Sequence, residues 1–271
     1  MRQSLYLIST GRLTTIPYLI TVLASVANAA FPARLSDLTR SSLSNKYAMR
    51  FDVARDEFSI SCGGSQIHGD VPKQSALDSY INVFASEWNL YPRRLVAQSE
   101  LKRVVFCSHL TLDDQPRLIQ PTFDYDTLYV DVECAQYDNI YCRKIIHHEF
   151  FHIIDFQDDG ILADSTWESL NPEGFRYGVS RESIQSSRFA SVWNPKLRGF
   201  LNNYSTIAVE EDKAEIFAHL MVCGPAVAAR ARTDKVIRSK CDRIKALIRS
   251  FCSEADEQFW QAAEALKRTR D

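Results

Sequence analysis

The chain has 271 residues, 45% hydrophobic and 24% charged, an ordinary globular composition with room for one large domain or two lobes around a cleft. A formal net charge of -2 leaves no basic surplus for nucleic acid, and there is no acidic tail of the solvating kind. No repeat recurs at a fixed period and no tract is of low complexity, so solenoids and compositional linkers are excluded.

The first thirty residues carry Arg2 and Arg12 but no acid, then an apolar run from Ile16 to Val26, then Ala27-Asn28-Ala29. A basic start, a short apolar middle and an A-x-A end read as a secretory signal peptide over residues 1–29. The run falls short of the ~20 apolar residues a membrane span needs, so no stable membrane insertion is expected after cleavage. The expected location is secreted or periplasmic, with residues 30–271 as one domain. All seven cysteines follow the cleavage point, and an oxidising compartment favours pairing. Cys134 with Cys142 would make a local bridge, and Cys223 with Cys241 would staple two late helices. No C-x-x-C pair suggests a cysteine zinc site.

Residues 30–50 are polar and Ser-rich and read as a loose lead-in or short pro-segment. Phe51–Cys62 reads as a strand, and Gly63-Gly64 as a turn. Leu77, Tyr80, Ile81, Phe84 and Trp88 recur at helical spacing after Ser75, and that helix should stop at Tyr91-Pro92. Arg103–Cys107 and Thr127–Val132 are β-rich, with a loop at Asp113, Asp114 and Pro116 between them. The second strand is either an edge beside an extended peptide or an interior strand. Residues 157–200 are loop-rich and read as a wall or lid of a cleft. A helix begins near Ile207 and should end at Gly224-Pro225. Two packing helices follow, one holding Val236 to Phe251 and one holding Phe259 to Leu266. The fold class is therefore α+β, with a small mixed sheet and one central helix in residues 30–156. A mainly helical lobe follows in 157–271.

That central helix is the stretch Ile145 to Asp155, which contains His148-Glu149-Phe150-Phe151-His152. Residues four apart share one face of a helix, so His148 and His152 point the same way and can hold one metal ion. Neutral imidazole suits zinc, and a catalytic zinc takes three protein ligands and a water. Glu149 can take that water's proton as general base. His147 precedes the motif and points off the metal face, which makes it a supporting residue. The third ligand has three candidates. Glu211 would come from the later helix, with Glu215 one turn on to accept a hydrogen bond from a ligand imidazole. Glu210 would serve if that helix were rotated by one residue. Asp158 has metzincin spacing, although Asp155 stands where a metzincin has a turning glycine.

His148-Glu149-x-x-His152-x-x-Asp155 together with Glu211-x-x-Ala214-Glu215-x-Phe217 resembles the gluzincin metallopeptidases. It is most similar to the lethal-factor-like group and to exported bacterial proteins described as zinc-binding metallopeptidases. The resemblance spans about residues 126–222. It implies a zincin-like fold, one zinc per chain and hydrolysis of a peptide or protein substrate. By this likeness His148, His152 and Glu211 are the zinc ligands and Glu149 is the base. Asp155 and Glu215 match acidic supporting positions, and Tyr204 matches a tyrosine that supports the oxyanion. The gap from His152 to Glu211 is longer than that group usually carries. The rival expectations are an exported binding protein with a structural or vestigial zinc site, and a globular domain without metal.

Overall fold

The computed structural model describes residues 34–136, 139–159, 164–179, 184 and 190–266. The expected signal peptide lies outside the described residues.

The Ser-rich lead-in is a helix, α1 (Leu35–Tyr47), not a loose segment. Ser36, Leu43 and Tyr47 fall at i, i+7 and i+11 and are buried on one face. Its serines either face solvent or, like Ser36, find a partner: Gln74 Nε2 donates to the Ser36 hydroxyl at 3.0 Å. The single strand expected over Phe51–Cys62 is two, β1 (Arg50–Val53) and β2 (Phe58–Cys62). Gly63-Gly64, both at positive φ, turn β2 into β3 (Ser65–Asp70). Helix α2 (Gln74–Trp88) follows, then the expected break at Pro92 and a short α3 (Arg93–Gln98).

The ten-residue β4 (Arg103–Leu112) is the spine of a mixed seven-stranded sheet. Its first half lies parallel to β1 and to β7 (Thr127–Asp131). Its second half lies antiparallel to β3 and β5 (Gln115–Pro116). The short β6 (Ile119–Pro121) pairs antiparallel with β7. Strand β7 is therefore interior, with β4 on one side and β6 on the other, and the edge on that side of the sheet is β6. Alternation splits β4 between two apolar clusters: Val104 and Phe106 face one, Val105 and Cys107 the other.

The larger cluster joins the sheet to the helices. Phe84 and Trp88 of α2 stack at 5.0 Å between ring centroids, and Trp88 lies 4.8 Å from Phe150 of helix α4 (Asn139–Asp159). After α4 comes α5 (Ser165–Glu168), whose N-terminus is capped by Asp164 accepting from Trp167 N. Then α6 (Val209–Thr233) packs against α4 and against α7 (Lys235–Phe251) and α8 (Glu257–Ala265). Gly224-Pro225 bends α6 instead of ending it. Pro225 lacks an N–H and crowds the preceding turn, so Cys223 leaves helical angles (φ -124, ψ 28) and the helix then resumes.

Within residues 157–200, the stretch around α5 is anchored to the protein at Trp167. Trp167 is fully buried and donates to Asp212 Oδ2 at 2.9 Å. Among the described residues no disulfide joins the cysteines. At the expected local bridge the Cys142 thiol instead donates to the Cys134 carbonyl at 2.5 Å. No helix of the described residues is long and apolar enough to cross a membrane.

Candidate metal centre

Helix α4 is buried among apolar residues on most sides: Ile146, Phe150, Phe151, Ile153 and Ile154 are all fully buried. Its polar residues must therefore be partnered, and two separate groups of partners serve them.

His148 and His152 sit one turn apart with their Nε2 atoms 3.2 Å from each other. Glu211, in the first turn of α6, brings Oε2 to 3.0 Å from His148 Nε2 and 3.5 Å from His152 Nε2. The three atoms form a triangle with edges of 3.0, 3.2 and 3.5 Å. Tetrahedral zinc, with bonds of about 2.0–2.2 Å, sets its donor atoms about 3.3 Å apart, so this donor set fits the ion in both chemistry and size. Among the described residues, His148, His152 and Glu211 are the group that could hold a metal ion.

The protonation pattern tells the same story without a metal. Burial works against charge on His148, yet its contacts with Glu211 and Glu215 hold its pKa well above the ordinary histidine value. Burial likewise opposes ionisation of Glu211, and the bonds from His148 and His152 outweigh it, holding Glu211 below the usual carboxylate range.

Glu149, half-buried beside the triangle, makes no hydrogen bond to the described residues. Burial pushes its carboxyl above the ordinary range, with Glu211 adding to the push and the two histidines opposing it. Tyr204, in a 3-10 turn just before α6, donates from its hydroxyl to Glu211 Oε1 at 3.2 Å. Glu215 lies one turn beyond Glu211, with Oε1 3.1 Å from His148 Nδ1 at an angle oblique for a hydrogen bond. Its other oxygen accepts from Asn202 Nδ2 at 2.6 Å and lies 3.3 Å from His219 Nδ1. Although burial opposes it, contact with His148 and the charges of His219 and Lys144 pull the Glu215 pKa down to about 2.

His219, four residues on again, is buried under Trp193 with rings 5.6 Å apart. Its Nε2 lies 3.2 Å from Lys144 Nζ, and an ammonium can only donate. The ring proton therefore sits on Nδ1, which donates to the Glu215 carbonyl at 2.8 Å. Burial, and then the Lys144 charge, lower the His219 pKa to about 4.

The remaining candidates separate cleanly. His147 faces the other way, with Nε2 3.0 Å from Glu87 Oε2 and Nδ1 against the Tyr91 hydroxyl. Asp155 forms an ion pair with Lys213 at 3.0 Å. Asp158 is exposed on the last turn of α4 and outside the triangle. The helix runs unbroken from His148 to Asp158, a rise of about 15 Å over ten residues, so the metzincin alternative fails for want of a turn. Glu210 is also outside the group. Asn202, Lys144 and His219 were not legible as part of the site. Of these only His219 carried a signal, the i, i+4, i+8 series with Glu211 and Glu215.

Comparison with protein families finds no match, and comparison with curated proteins finds none. Among solved structures the chain is similar to a "putative zinc-binding metallo-peptidase" from Bacteroides caccae ATCC 43185. Identity is 15%, the TM-score is 0.48, and the match covers 86% of this chain and 94% of that one.

Proposed function

We propose that this protein is an exported zinc-dependent metallopeptidase. His148, His152 and Glu211 hold the ion and Glu149 is the general base. The observation that carries the reading is the donor triangle with the Glu149 carboxylate beside it, which makes no hydrogen bond to the described residues. Bound zinc supplies a Lewis acid and a water of lowered pKa. Glu149 takes the proton from that water and delivers it to the leaving amine, and its raised pKa suits a group that must do both. Tyr204 donates to the developing oxyanion after leaving Glu211 Oε1. Glu215 and Asn202 hold the His148 ring in place. Strand β6 is the sheet edge beside which an extended substrate would lie. Proline at position 121 lacks a donor, so backbone pairing there is limited.

A structural zinc site would be closed by a fourth protein ligand. Three side chains, and no fourth, gather among the described residues, which favours the enzyme over the binding protein. Metal analysis of the purified protein should give one zinc per chain. Glu149→Gln should keep that zinc and lose peptide hydrolysis by about 10²-fold or more. Wild-type turnover in Glu149→Gln would sink the assignment of the base, and a zinc-free protein would sink the whole reading.

A further inference from the structure

We propose that Tyr125 and Phe156 form an apolar subsite that selects an aromatic or large aliphatic side chain within two residues of the scissile bond. The proposal rests on the peptidase reading above. Phe156 follows His148 and His152 at i+8 and i+4, so it continues the metal-facing side of α4 by one more turn. It is 42% exposed, while the large apolar residues Phe150, Phe151, Ile153 and Ile154 are fully buried.

Tyr125 meets it from the β6–β7 turn, with ring centroids 4.5 Å apart and planes tilted by 33°. The turn holds Tyr125 at φ 57, a left-handed conformation that a bulky residue rarely adopts, and its N–H donates to the Thr122 carbonyl at 2.9 Å. The two rings thus make one apolar surface whose one end is anchored to the edge-strand hairpin and the other to the metal-bearing helix. The Tyr125 phenol is raised by burial and then by the charges of Glu149, Glu210, Asp155 and Glu211, so the negative charge of these carboxylates reaches the pair.

The distances suit a peptide. One helical turn from His152 to Phe156 is a rise of about 6 Å, and two residues of extended chain cover about 6.6 Å. A substrate carbonyl at the donor triangle therefore carries a neighbouring side chain over the rings. The acidic surroundings disfavour a carboxylate there, and the rings favour an apolar group.

The test uses the zinc-loaded protein and two probes, phenylalanine hydroxamate and alanine hydroxamate, which share the chelating group and differ by a phenyl ring. Calorimetry should show the phenylalanine compound binding about tenfold more tightly. Phe156→Ala should bring that ratio close to one, and Phe156→Leu should keep most of it, with zinc content equal to wild type as the check on folding. Cleavage sites in a peptide library should be enriched in Phe, Tyr or Leu at one position near the bond, and Phe156→Ala should lose that enrichment. Equal binding of the two hydroxamates to the wild type, or no binding of either, overturns the subsite. A preserved tenfold ratio with no peptide cleaved supports the subsite and overturns the peptidase reading alone.

Discussion

His147 and His148 are neighbours in the chain, and each meets a buried or half-buried carboxylate from another helix, yet the two surroundings are built for opposite ends. Around His147 every group has a protein partner. Glu87, fully buried, takes Arg143 on one oxygen at 2.6 Å and His147 on the other at 3.0 Å, and Tyr91 closes the remaining ring nitrogen. Around His148 two imidazole nitrogens and a carboxylate oxygen converge on one point, and among the described residues no Lys or Arg pairs with that Glu211 carboxylate. The first arrangement is complete as it stands and ties α4 to α2. The second is complete only with a proton or a metal. Convergence of acceptors, and not the mere presence of histidine and glutamate, is what marks a functional cluster.

The comparison breaks first at Glu211. Glu211→Ala should abolish stoichiometric zinc binding, an effect beyond the 10- to 100-fold expected for supporting residues, while the fold survives. Equal zinc content in this variant, read by metal analysis, would show the triangle to be incidental. Next in size is the closed cluster. Glu87→Ala strands Arg143 in the interior and should cost about 3–5 kcal/mol in urea unfolding. Zinc stoichiometry in the folded fraction should not change, and a change would mean that the two clusters are coupled.

Glu215→Gln sharpens the picture, because it keeps the shape and removes the charge that faces His148. Zinc affinity should fall about 10- to 100-fold, measured by competition with a chelator. The smallest effect is one of pH. His219 is held at about 4 in the folded protein against about 6.5 unfolded. Between these values the unfolded chain takes up a proton that the folded chain does not. Stability from this group is therefore full above pH 6.5 and falls as the pH drops, by about 2 kcal/mol at pH 5. Urea midpoints of the metal-free protein at pH 7 and pH 5 should differ less in His219→Gln than in wild type.

The run Glu210 to Glu215 shows why part of the site was hidden. By sequence it could be a solvated helix face, and α7, with as many charges, does turn much of its polar face to water. In α6 three successive charged residues each have a different destination. Glu211 meets the histidines and Asp212 takes Lys240 at 2.6 Å, while Lys213 pairs with Asp155. Each residue turns the helix by about 100°, so the three partners fix its rotation and with it the choice of Glu211 over Glu210.

The sequence by itself determined what is local. The spacing of His148 and His152, the position of Glu149 between them, the strand character of residues 127–131 and the late helices all follow from backbone periodicity over a few residues. Tertiary structure alone decided that β7 is interior, that the Ser-rich segment is a helix packed on α2, and that Asp158 stays far from the histidines. It also decided that Asn202 and Lys144 support Glu215. Those outcomes depend on which elements become neighbours, and partner choice between distant segments is set by the burial of whole faces rather than by any short pattern.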